Sequence, residues 1–191
     1  HDVQARLVEV LSGMPIDQFL QQRIFAPLGM NDTGYGVPAG KRGRVATLHD
    51  VPEGMPANPA VDMRPSTYER FAQHPFGTLG LWSTARDYAR FSLMLLNGGE
   101  LDGVRLLRPE TVALMRENRL SEAQREVPFM GIPFWMGQGF GLGVSVITDP
   151  EKQAWMGAGS AGSFGWPGAF GTWWQADPEE EKRPENVIPR I

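Results

Sequence analysis

"SAGSFGWPGAFGTWWQADPEE", Ser160 to Glu180, packs four glycines, two prolines and three tryptophans into one short run. Trp166-Pro167-Gly168 sits among residues that otherwise favour a strand. Proline removes a ladder donor and glycine weakens a strand, so neither belongs inside a central one. The run is therefore a loop, or an edge strand whose backbone faces something other than a neighbouring strand. Trp173 and Trp174 are adjacent, so on a strand they point to opposite faces and at least one belongs to the core.

Outward from this run, the texture changes along the chain. Just upstream, "GFGLGVSVITDP" (Gly139 to Pro150) is glycine-rich and β-like. Earlier segments read as helices. "DVQARLVEVLSG" carries an apolar stripe at Val3, Leu7, Val8, Val10 and Leu11, closed by Gly13. A second helix starts at Pro15, with Ile16, Phe19, Leu20 and Ile24 on one face, and ends at Pro27 and Gly29. Residues 30 to 80 are irregular and hold six prolines, at 38, 52, 56, 59, 65 and 75. "STARDYARFSLMLLNGG" restores a helix, with a Thr84–Asp87 capping-box signature and an Asn97-Gly98-Gly99 stop. "LDGVRLL" predicts a hairpin at its Asp-Gly turn, and "PETVALMREN" another helix opened by proline. Helices first and strands later favour α+β over a parallel sheet of βαβ units.

The bulk numbers set limits. A chain of 191 residues with 41% apolar and 21% charged residues is a globular composition, long enough for a core. A net charge of −4 argues against general affinity for nucleic acid, and "GKRGR" (Gly40 to Arg44) reads as a solvated loop. Without cysteine there is no disulfide framework, thiolate zinc site or cysteine nucleophile. The longest apolar run, "FSLMLL" (Phe91 to Leu96), is far too short to span a membrane.

Catalytic signatures are incomplete. A nucleophilic serine needs a base within hydrogen-bond reach. The lysines, Lys41, Lys152 and Lys182, follow Pro38, Asp149 and Glu179 at three residues' distance, so there is no Ser-x-x-Lys. Gly143-Val144-Ser145-Val146-Ile147 fails as a Gly-x-Ser-x-Gly elbow at its last position. Ser83 and Thr84 read as a helix cap. His1, His49 and His74 lie too far apart for metal-ligand spacing, so no metal or other cofactor is expected. His49-Asp50 reads as an exposed loop pair, and Glu179-Glu180-Glu181 as a solvated run.

Four stretches nonetheless resemble, in order, the serine β-lactamase-like family of class C β-lactamases, DD-peptidase penicillin-binding proteins and related carboxylesterases. They are "DVQARLVEVLSGMPIDQFLQQRIFAPLGMNDTGY", "GLWSTARDYARFSLMLLNGGELDGVRLLRPETVALM", "GFGLGVSVITDP" and "GSFGWPGAFGTWWQADPEE". The resemblance implies an antiparallel sheet packed against helices. It implies a Ser-x-x-Lys nucleophile, a tyrosine element that moves protons, and a strand bearing Lys-Thr-Gly, His-x-Gly or Trp-x-Gly. Only the strand is matched here, by Trp166-Pro167-Gly168. The next residue, Ala169, falls on the position whose backbone N–H serves the oxyanion hole. Both missing elements stand upstream of Asp2 in the family, so the chain reads as a C-terminal portion of one such domain (residues 1–178), inactive alone. "EEEKRPENVIPRI" (179–191) departs from the family's closing strand and reads as a charged, Pro-broken tail.

The substrate implied is a small ester, amide or β-lactam, met by Trp166, Pro167 and Gly168, with Ala169 as oxyanion donor. Two other readings stand beside it. One is a non-catalytic binding or partner-associating remnant of the same fold, with open sheet edges that favour self-association. The other is an aromatic-rich carbohydrate-binding domain that uses exposed tryptophans as platforms.

Overall fold

The protein's structure, a computed structural model, describes residues 1–47, 49–50, 58–59, 72–129, 131–153, 159–168 and 172–181; residues 49–50, 58–59 and 181 are described by their backbone alone. Two compact units divide the chain, His1–Tyr88 and Ala89–Ile191.

In the first unit, helix α1 (Asp2–Ser12) ends where Gly13, at φ 69°, returns its N–H to the Glu9 carbonyl. The apolar stripe is largely exposed: Val3, Leu7, Val10 and Leu11 retain 75%, 55%, 64% and 85% of their accessible surface. Helix α2 (Ile16–Leu20) follows Pro15, which occupies the N-cap, and runs on into a π-helical turn, Gln21–Phe25. Ile16, Phe25, Leu28 and Met30 are buried. The irregular stretch contributes β1 (Gly34–Tyr35), a 3₁₀ segment (Ala39–Arg44), β2 (His49–Asp50), β3 (Asn58–Pro59) and β4 (Leu81–Trp82). β1 pairs with β4 and β2 with β3, both antiparallel. His49 and Asp50 are therefore strand residues, and the loop reading is corrected.

Helix α3 (Ala85–Leu96) starts in this unit, and its cap differs from the expected box. Thr84 Oγ1 accepts the Asp87 N–H at 3.2 Å. The Asp87 carboxylate does not reciprocate; its Oδ2 accepts from the Asp32 N–H at 2.7 Å and the Thr33 hydroxyl at 2.9 Å. A side chain expected to close a local cap is buried and holds a loop 55 residues away.

In the second unit, the end of α3 buries Met94 and Leu95 and stops at Gly98 and Gly99, both at positive φ. β5 (Glu100–Leu101) and β6 (Val104–Arg105) form the expected hairpin, turning through Asp102 at φ 51° and Gly103 at φ 79°. Helix α4 (Pro109–Met115) opens with its proline, and α5 (Glu122–Arg125) carries a Ser121–Gln124 capping box. β7 (Gln138–Phe140), β8 (Ser145–Ile147), β9 (Phe164–Pro167) and β10 (Trp173–Ala176) form an antiparallel sheet in the order β10-β9-β8-β7. Val146, Ile147, Phe164, Trp174 and Ala176 are its buried apolar residues, with Phe134 and Val144 buried just outside the strands. The end of α4 is tied to the sheet's approach by Leu142 N–H donating to the Met115 carbonyl at 3.0 Å. The class is α+β. Within the run at Ser160 to Glu180, β9, which carries Trp166-Pro167, lies inside the sheet and not at its edge, while β10 ends the strand order. Beyond it, α6 (Pro178–Glu181) takes up the first residues of the expected tail.

Candidate functional site

Register explains how β9 tolerates a proline. β10 pairs with β9 from Ala176↔Phe164 as far as Trp173↔Pro167, whereas β8 pairs only through Gly165 and Phe164. Trp166 and Pro167 thus run past the end of β8. The Gly168 N–H donates to the Thr172 carbonyl at 2.7 Å, so even-numbered N–H groups are aimed at β10. Pro167 belongs to the other parity, on the side that β8 has vacated, and its missing donor costs no ladder bond to a described strand. A Cβ at Gly168 would meet the Thr172 side chain across the hairpin. Ala169 lies outside the described residues.

Trp166 is half-buried in a cluster of rings. Its centroid lies 5.1 Å from Phe140, 5.5 Å from Phe134 and 6.5 Å from Trp135, in tilted and edge contacts. These are the separations that aromatic quadrupoles favour. Phe134, fully buried, is the cluster's base, and Phe129 its exposed rim, at 5.1 Å from Phe134. Trp174 packs edge-on to Phe164 at 5.9 Å and is buried, while Trp173 is half-buried, as alternation requires. Among the described residues, Trp82, Trp135, Trp166 and Trp173 are half-buried and Trp174 is buried.

Two charged groups, not singled out from the sequence, hold the entry to β9. The Arg116 guanidinium lies 4.5 Å above the Phe164 ring and donates from Nη2 to the Gly162 carbonyl at 3.1 Å. Loss of solvent lowers its pKa, an effect that Asp177 opposes. Asp177 accepts from the Ser160 N–H at 2.8 Å and the Glu179 N–H at 2.9 Å. Burial pushes its carboxyl up, but these donors outweigh burial and hold it below the usual carboxylate range. One carboxylate thereby joins the start of the β9 hairpin to the cap of α6. Asp-Pro before an acidic run is a legible N-cap signal; the bond back to Ser160 is not.

The other polar candidates are engaged elsewhere. Ser83 Oγ meets Thr33 Oγ1 at 2.8 Å, and Ser145 Oγ donates to the Gly165 carbonyl at 2.8 Å. Lys41 pairs with Asp32, and Lys152 with Asp149 at 2.8 Å. Tyr35 donates to the Phe76 carbonyl, and burial with the nearby Asp17, Asp2 and Glu9 pushes its phenol up, so it stays protonated at neutral pH. Among the described residues, no group of three or more His, Cys, Asp or Glu could hold a metal, and no helix is long and apolar enough to cross a membrane.

Comparison with known proteins gives this geometry a lineage. The family profile described as Beta-lactamase matches residues 1–186. Protein Rv1367c of Mycobacterium tuberculosis is 45% identical over 181 residues, which are 94% of this chain and 45% of that protein. Monacolin J acid methylbutanoyltransferase of Aspergillus terreus is 30% identical over 93% of this chain and 45% of its own length. The unliganded structure of simvastatin synthase from the same organism superposes with a TM-score of 0.72 at 25% identity, covering 94% of this chain and 46% of that one. The chain thus spans about half the length of the relatives it matches. Because the matched span runs from α1 through the whole four-stranded sheet, the likeness is one of architecture and not of a single motif, and the chain belongs to the β-lactamase family.

Proposed function

We propose that this chain is the C-terminal portion of a serine acyl-transfer enzyme, and that it supplies one wall of the site where an ester, amide or β-lactam carbonyl is attacked. The carrying observation is the overhang of Trp166 and Pro167 beyond β8, a strand segment with one backbone edge free of a described strand. Continued by one residue of the same parity, that edge presents the Ala169 N–H to a developing oxyanion. Removing one such donor from a hydrolase costs about 3–4 kcal/mol of transition-state stabilisation. The nucleophile, its lysine and the proton-moving tyrosine come from the remainder of the enzyme.

Trp166 stands where related enzymes carry lysine or histidine. Trp166 in that place removes a cation from the wall, so an acyl ester is favoured over a β-lactam carboxylate. The acyl-transferring relative from Aspergillus supports that choice. The test compares the whole enzyme with the 191-residue chain. A fluorophosphonate probe is expected to label the former and leave the latter unlabelled, and the whole enzyme is expected to hydrolyse short-chain nitrophenyl esters faster than nitrocefin. Labelling of the chain alone would overturn the division of parts; faster nitrocefin turnover would overturn the ester preference.

A second reading, a non-catalytic module that associates with a partner, is favoured by the exposed apolar stripe of α1 and by the edges of β7 and β10, which pair with no further strand among the described residues. It predicts that the whole protein also fails to react with the probe.

A further inference from the structure

Against β7, β8 and β9 lies a small cavity lined by polar side chains. Gln138, Ser145, Gln153, Ser163 and Gln175 face it, with Ile147 as an apolar side. Gln138 and Ser163 are fully buried. Three atoms here are buried without a hydrogen-bond partner: Gln138 Oε1, Gln153 Nε2 and Ser163 Oγ. The Gln138 amide orientation is fixed, because its Nε2 donates to the Phe134 carbonyl, and that leaves Oε1 to accept. The Ser163 hydroxyl faces the Asp177 carboxylate and helps hold it ionised without meeting hydrogen-bond geometry, so its lone pairs are available.

Leaving three buried polar atoms unsatisfied is costly, because each gives up its bond to water and gains none in return. Their chemistry is complementary to a single molecule: one donor, one acceptor, and one hydroxyl that can accept. The space allows about 10 Å³ for the centre of a water molecule, the size of one water site. Dry cavities in proteins are apolar, and this one is not.

We propose that this cavity is a binding site for one ordered water, which accepts from Gln153 Nε2 and donates to Gln138 Oε1 and Ser163 Oγ. The water joins β7, the segment after β8 and the residue that leads into β9. It is thus part of what fixes the height of the Trp166-Pro167 overhang, and it holds whether or not the catalytic reading does.

Magnetic relaxation dispersion of water ¹⁷O counts internal waters with long residence times, and tests this on the 191-residue chain. Ser163→Val and Gln153→Met each remove one partner at similar volume. The dispersion amplitude is expected to fall by one water in each variant, and by no more than one in the double variant, because both act on the same molecule. Amplitude unchanged in either folded variant would overturn the proposal. So would a double variant that loses two, since that result means separate waters and no bridge.

Discussion

Gly165 is glycine because β10 lies against it. A Cβ at this position would meet the Trp174 carbonyl and approach the Gln175 Cα to 2.9 Å. Backbone cannot rotate aside as a side chain can, so Gly165→Ala is expected to force the hairpin apart at a cost of about 1–3 kcal/mol. Equilibrium urea unfolding measures it, and a loss below 0.5 kcal/mol would show the hairpin to be more plastic than its register implies. Asp177 makes a different demand. Its folded pKa lies below the ordinary carboxylate value. The stability it contributes is therefore present above the unfolded pKa of about 4 and is lost as pH falls through the folded value. Asp177→Asn should make the chain less stable at neutral pH and flatten the acid limb of its stability profile. If the wild-type and variant curves stay parallel below pH 4, the N–H donors from Ser160 and Glu179 do not discriminate the charged form.

Among the elements, those built from short-range signals were legible. The Asp-Gly turn gave the β5–β6 hairpin, and the stripe ending at Asn97-Gly98-Gly99 gave α3. The inner position of β9 was not legible. Proline argues against a central strand only if both of its edges are paired at that residue, and where β8 ends is a long-range fact. Asp87 shows the same limit. Thr84-x-x-Asp87 matches a cap by spacing, but the carboxylate is claimed by Asp32 and Thr33, which no local window contains. Asp87→Ala would leave the Asp32 N–H and Thr33 hydroxyl without this acceptor. Hydrogen bonds to a charged group contribute about 1.5–3 kcal/mol each, and loss of the pair is expected to cost at least about 2 kcal/mol. Asp87→Asn should recover part of that loss. A loss of a few tenths, as for a cap Gly, would restore the local reading.

For the molecule as a whole, the informative element is α1. Its 3.6-residue periodicity was read correctly as a helix, but periodicity specifies a face and not what covers it. Val3, Leu7, Val10 and Leu11 stay exposed, on a chain that spans 45% of its relatives' length. An apolar helix face in water favours whatever surface can cover it. In the proposed whole enzyme, that surface is the half that bears the nucleophile. For the chain by itself, a second copy is the surface this reading predicts. Sedimentation velocity on the 191-residue chain should therefore show concentration-dependent association, and Leu7→Gln with Leu11→Gln should suppress it. Because both side chains are exposed, unfolding stability at low concentration should change by no more than about 0.5 kcal/mol. Suppressed association with unchanged stability would identify α1 as a contact surface. Association that survives the double change would move it to the outer edges of β7 and β10, unpaired among the described residues, where a strand-breaking proline is the next substitution to make.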